Sequence, residues 1–254
     1  MQAPLRFDSP LASGPGSRRP VSRWSAMRRV RSLLLAAFAA FAAFAMLAAP
    51  RASAQGAGAQ GAGAAPMTAA EADALVRAVY YEGLPADALA RIGPEAAAHL
   101  ASLLGDPNEA AVHANALLAL AASDDAVAFV AIRDWAAAPR TGELDRAAFR
   151  AWQVLPYALG ELAARDPRAL ALLRAKALGE RPAFAFGRFD AARLERMQQR
   201  AAVHGLALSG RPAASAVLDE VERAAPSADA ALRDAIAEAR ALHAQRASAA
   251  GGAR

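Results

Sequence analysis

Four histidines, His99, His113, His204 and His243, are the side chains here that could bind a metal or move a proton near neutral pH. Metal-assisted hydrolysis calls for two of them one helical turn apart beside a carboxylate, as in H-E-x-x-H, and no pair has that spacing. His204 shares an apolar face with Leu194, Met197, Ala201 and Leu208, which predicts a packed core ring. His113 and Asn115 read as polar contacts between helices. Beyond position 66 the serines are Ser102, Ser123, Ser209, Ser215, Ser227 and Ser248. Most fall at helix ends, where a hydroxyl caps backbone N–H groups. No nucleophile elbow and no P-loop occurs. Asp124-Asp125 pairs two carboxylates, yet its place at a helix N-terminus is accounted for by capping and the helix dipole. The chain has no cysteine, which removes disulfides, thiolate zinc sites and cysteine nucleophiles. No catalytic residue, metal ligand or cofactor site is expected.

Two stretches offer recognition instead. Arg140–Arg150 (RTGELDRAAFR) and Arg181–Asp190 (RPAFAFGRFD) are the widest breaks between helices. The second gathers Phe184, Phe186 and Phe189 around Gly187 and Arg188 in a chain that is only 6% aromatic. Arg140, Arg146, Arg150, Phe184, Phe186, Arg188 and Phe189 are therefore the candidate partner-binding residues. The competing reading is that this loop folds back and its phenyl rings plug the end of the core. Trp135 and Trp152 are expected in the core.

Such residues must be held by helices. Alanine fills 78 of the 254 positions and runs of β-branched residues are nearly absent, so an all-α fold is predicted, with no strands. Thr68-Ala-Ala-Glu71 is a capping box. Leu75, Val76, Val79 and Tyr80 follow at helical spacing, with Gly83 as the expected terminator. A short helix over 86–92 precedes one from Glu95 to Gly105. Asp106-Pro107 then stops that helix and starts the next, with proline at its first position. Later helices are predicted over 126–137, 144–164, 167–178, from about Asp190 to Leu208, from Pro212 through Val221, and over a last stripe of Leu232, Ile236 and Leu242. Residues 247–254 read as a frayed tail, which leaves 67–246 as the folded domain.

The breaks recur. Asp124-Asp125, Asp166-Pro167 and Arg211-Pro212 lie roughly 42 and 45 residues apart, a period that marks two-helix units of the HEAT or armadillo kind. The phrases ALLALAASDDAVAFV, ALGELAARDPRALALL and HGLALSGRPAASAVL echo one another. On these residues, on HLASLLGDPNEAAVHANALLALAAS (99–123) and on Pro156 inside a first helix, the stretch 95–245 resembles the HEAT-repeat family. The resemblance implies a short α-solenoid of about three to four stacked helix pairs. His113 departs from it, standing where the family carries a basic residue after the Asp-Pro turn. An irregular helical bundle is the other arrangement open to these helices.

The charge has an address of its own. The chain is +5 overall, but eight of its 29 basic residues precede position 55, against the single acid Asp8. The remainder is slightly acidic, so no nucleic-acid partner is expected. From Met27 a basic Met-Arg-Arg-Val-Arg precedes the uncharged run Leu33–Ala49, then Ala52-Ser53-Ala54, the order of a secretion signal cleaved before Gln55. Ala52, Ala54 and Gln55 mark the cleavage site, and Met27 is the expected true start. The Arg18-Arg19 pair lacks the apolar residues that a twin-arginine signal needs. An uncleaved anchor is the alternative, but 17 Ala-rich residues fall short of a span, so no stable membrane span is expected after cleavage. Residues 1–26 read as a disordered extension and 55–66 (QGAGAQGAGAAP) as a flexible linker.

The expected protein is periplasmic or secreted, a non-catalytic scaffold or adaptor that binds a protein partner in the bacterial envelope. The alternative implied by the resemblance is an enzyme, or an enzyme-associated subunit, of the HEAT-like lyase kind. A purely structural envelope protein is a third.

Overall fold

The computed structural model describes residues 65–251, so the expected signal with Ala52, Ala54 and Gln55, and the linker up to residue 64, lie outside the described residues. Helix α1 (Ala69–Arg77) opens on the predicted capping box. Thr68 Oγ1 accepts the Glu71 N–H at 3.2 Å, and Glu71 Oε2 accepts the Thr68 N–H at 2.8 Å. That backbone bond, with the Arg91 guanidinium, holds the Glu71 carboxyl down to about 2. Then follow α2 (Ala86–Ala90), α3 (Pro94–Gly105), a 3-10 turn (Pro107–Glu109), α4 (His113–Ala122) and α5 (Ala126–Ala137). The chain continues through β1 (Gly142–Glu143), α6 (Arg146–Ala163), α7 (Arg168–Ala177), β2 (Phe184–Ala185), α8 (Ala191–Leu208), α9 (Pro212–Ala224) and α10 (Ala230–Gly251). The fold is all-α.

The helices form two rows. In one, α4 packs on α6, α6 on α8 and α8 on α10; in the other, α3, α5, α7 and α9 follow one another, and neighbours in sequence bridge the rows. The first row holds much of the core. Leu117 and Leu120 of α4, Leu155 and Leu159 of α6, Leu194 and Leu206 of α8, and Leu232 and Ile236 of α10 are fully buried. The predicted stripe Phe149, Trp152, Leu155, Leu159 and Leu162 is buried along its whole length. Where α6 crosses α8 the backbones touch. A Cβ added at Gly160 would strike the Gly205 carbonyl oxygen, and one added at Gly205 would strike the Pro156 carbonyl oxygen and lie 2.8 Å from Leu173 Cδ2.

The breaks at Asp124-Asp125, Asp166-Pro167 and Arg211-Pro212 are the turns from the first row to the second. Two of them use the same device. Arg165 donates to the Ala121 carbonyl at the end of α4, and Arg211 reaches the Ala163, Ala164 and Arg165 carbonyls at the end of α6, at 3.2–3.4 Å. Each guanidinium satisfies helix C-terminal carbonyls that have no partner within their own helix.

Four expectations are corrected. Helix α1 ends at Arg77 rather than near Gly83, because Asn115 Nδ2 donates to the Val76 and Ala78 carbonyls and holds the chain in an extended turn. Pro107 begins only a 3-10 turn, closed by Asp106 Oδ1 on the Asn108 N–H at 2.8 Å, and α4 starts at His113. The expected absence of strands yields, among the described residues, to one two-residue parallel pair, β1 with β2. The expected tail from Ala247 is helical to Gly251: its alanines favour helix, and Arg246 is tied back to Glu161 Oε1 at 3.2 Å.

Candidate functional site

The loops over 138–145 and 178–190, separate in sequence, meet in space. Gly142 pairs with Phe184 and Glu143 with Ala185. The Leu144 N–H donates to the Ala185 carbonyl at 2.9 Å, and the Gly187 N–H to Glu143 Oε1 at 3.1 Å. Beneath this seam the phenyl rings turn inward. Phe186 stacks on Phe149 at 3.8 Å between centroids, Phe184 meets Trp152 edge-on at 5.3 Å, and Phe189 leans on both Phe149 and Phe186. Phe184 is buried, while Phe186 and Phe189 are half-buried against the core. Of the arginines, Arg146 and Arg150 are exposed on α6, and Arg188 is exposed with its guanidinium 6.0 Å from the Phe189 ring.

Arg140 sits differently. Its guanidinium lies 3.9 Å over the Trp135 ring and donates to the Trp135 carbonyl at 2.7 Å and to the Ala138 carbonyl at 2.9 Å. Burial there lowers its pKa below the ordinary arginine value. Beside it a cavity of about 310 Å³ opens, lined by Arg140, Arg181, Lys176, Glu180 and Gln198 over a floor that includes Trp152, Leu155 and Phe184. Lys176 is 9% exposed and Gln198 3%. Lys176 Nζ reaches Glu180 Oε2 at 3.0 Å, and that carboxylate is 57% exposed. Gln198 Nε2 is buried without an acceptor. Gly179, at φ 97°, makes the left-handed turn that returns Glu180 over Lys176; a Cβ there would also crowd Glu195 Oε1 at 3.1 Å.

Sequence reasoning pointed to the loops but passed over Lys176, Glu180 and Gln198. One signal was present: Lys176 is the only lysine in a chain with 29 basic residues. A lone lysine among arginines, near the end of a helix, marks a position where a compact ammonium is preferred to a guanidinium fork.

A second groove, of about 380 Å³, runs along the turns between Ser123 and Arg168. There the Arg168 guanidinium covers the Phe129 ring at 4.1 Å, and the buried Ser123 hydroxyl has no partner. The histidines are dispersed. His113 is buried between α3 and α5, His99 approaches Asp73 at 3.3 Å, His243 contacts the Arg211 carbonyl at 2.8 Å, and His204 lies 3.9 Å from Glu238. Among the described residues no three His, Asp or Glu side chains gather as a metal site, and no helix is long and apolar enough to cross a membrane. Compared with known proteins, the chain matches no family model, no curated protein and no solved structure.

Proposed function

We propose that this chain is an exported helical-repeat protein of the HEAT-like kind that binds a protein partner in the bacterial envelope. The observation that carries this reading is the loop between α1 and α2. Val79 and Tyr81 stand 80% and 94% exposed. Between them Tyr80 packs against the core, and beyond them Leu84 is buried. Asn115 Nδ2 grips the chain where the loop leaves α1, at the Val76 and Ala78 carbonyls, at 2.9 and 3.4 Å. A segment fastened at both ends, offering an aliphatic and a tyrosine side chain to water, has the chemistry of an interface anchor and has little ordering entropy left to lose on binding. The two rows of helices supply an extended support. Export is supported by the basic, apolar and small-residue order of residues 27–54.

The test is a pull-down of the C-terminally tagged full chain from its native envelope, read by mass spectrometry. A near-stoichiometric protein partner is expected, with Gln55 as the new N-terminus of the captured chain. The double variant Val79→Ser/Tyr81→Ser should keep the wild-type melting temperature and lose the partner. A variant with Phe184, Phe186 and Phe189 all changed to Ala should instead melt lower, because those rings are packed. A partner retained by the double variant, or none with the wild type, overturns the proposal.

A further inference from the structure

The cavity between the paired loops has a donor inventory that its own residues do not satisfy. Lys176 brings three N–H groups, one of them directed at Glu180 Oε2. Gln198 brings a buried amide nitrogen with no acceptor at all. Arg140 commits two of its five N–H groups to the Trp135 and Ala138 carbonyls, and Arg181 lines the rim. Three cations therefore face one carboxylate, and that carboxylate belongs to the most exposed member of its ion pair. The buried Gln198 amide nitrogen is costly to leave without an acceptor, and the buried Lys176 ammonium, held by one exposed carboxylate, has two further N–H groups to satisfy; an acceptor entering from outside would serve both.

The other half of the cavity is apolar, floored by Trp152, Leu155 and Phe184. That floor discriminates between anions. Phosphate or sulfate presents oxygen in every direction and would lay some of it against the rings unsatisfied. A carboxylate needs donors on one side only and can be attached to an apolar body on the other. The volume, about 310 Å³, lies at the lower end of the range for small-ligand sites.

We propose that the cleft between the α5–β1 and α7–β2 loops is a binding site for an organic carboxylate with a flat apolar body, the carboxylate taking the place of Glu180 on Lys176 and accepting from Gln198 Nε2. In the unliganded protein Glu180 is the internal occupant. It lies outside α7, just after Gly179, so it can swing into solvent when a ligand arrives. The site is independent of the Val79–Tyr81 loop, and either proposal can fail without the other.

Isothermal titration of the full chain with 3-phenylpropanoate tests the site, with 3-phenylpropanamide as the uncharged control and inorganic phosphate as the apolar-free one. Saturable one-to-one binding of the carboxylate is expected, with the amide and phosphate much weaker. Lys176→Met and Gln198→Leu should each weaken binding about tenfold or more, the usual scale for losing a charged or buried hydrogen-bond partner. Glu180→Gln, at an exposed position, removes the competing charge while keeping the side chain's shape; it should tighten binding and keeps the test informative if Lys176→Met folds poorly. Short peptides ending in phenylalanine, with free or amidated C-termini, distinguish a small metabolite from a polypeptide terminus as the source of the carboxylate. The proposal is overturned by no saturable carboxylate binding, by equal binding of the amide, or by unchanged affinity in Gln198→Leu and Glu180→Gln.

Discussion

Trp135 donates its indole N–H to His113 Nδ1 at 3.1 Å, and the opposite ring nitrogen of His113 faces the Leu103 and Asp106 carbonyls at 3.1 and 3.0 Å. With Nδ1 accepting, the ring hydrogen lies on Nε2 and is shared between those two carbonyls at the end of α3. One imidazole thus joins α3, α4 and α5 in a region where the helices are mostly alanine and have few polar ties. Truncating it strands an indole N–H and leaves a void. His113→Ala should therefore lower stability by about 2–4 kcal/mol, measured from the urea midpoint at constant m-value. His99, whose ring is partly exposed beside Asp73, gives the contrast: His99→Ala should cost less than about 1 kcal/mol. His113 is 6% exposed, so both ring nitrogens take their partners inside the protein.

Between elements, close approach decides more than helix propensity does. Alanine in place of glycine gains about 1 kcal/mol inside a helix. At Gly160 and Gly205 that gain is opposed by collision with backbone atoms of the facing helix, which cannot rotate out of the way. Overpacking of this sort costs about 1–3 kcal/mol, and with backbone on both sides the upper end applies. Gly160→Ala and Gly205→Ala should each lower the melting temperature despite the better propensity. Gly105→Ala, at the end of α3 with nothing within 4 Å of the added carbon, should be neutral or slightly stabilising. If all three behaved alike, the α6 and α8 backbones would not be in direct contact.

Over the whole molecule, ion pairs tie helices that the apolar core already joins. Arg77 links α1 to Glu109 of the 3-10 turn, Arg174 links α7 to Glu220 of α9, and Arg240 links α10 to Asp219 and Glu222 of α9. Their partners keep the Asp73, Glu109 and Glu220 carboxyls below the usual carboxylate range. Groups lowered in the folded state add stability above their unfolded pKa and lose it as pH falls, here below about 4.5. His204 acts at higher pH. Its burial lowers the folded pKa beneath the ordinary 6.5, with Glu238 opposing only in part, so the unfolded chain takes up the proton first. Stability attributable to His204 is intact above pH 6.5 and declines as pH drops through that value. Between pH 7 and 5 a His204→Gln variant should therefore lose less stability than the wild type in chemical denaturation, while both should share the steeper loss below about pH 4.5.

Helix positions, their caps and their turns were legible because they depend on near neighbours. Thr68 with Glu71 and Asp125 before α5 each cap a helix from within a few residues, and the stripe from Phe149 to Leu162 states its buried face outright; Asp145 and Asp190 cap α6 and α8 in the same way, where the predicted helices began at Leu144 and about Asp190. Tertiary contact decided the rest. Nothing local ends α1 at Arg77; Asn115, 39 residues away from Val76, does so by taking its carbonyl. The pairing of residues 142–143 with 184–185 is too short to leave a periodic trace. Whether Phe184, Phe186 and Phe189 face a partner or the core depends on Phe149 and Trp152 being beneath them, which spacing within the loop cannot encode. The cavity with Lys176 and Gln198 draws residues from α5, α6, α7 and α8 and the loops between them, and only the packing of those elements brings its cations together and leaves Gln198 Nε2 without an acceptor.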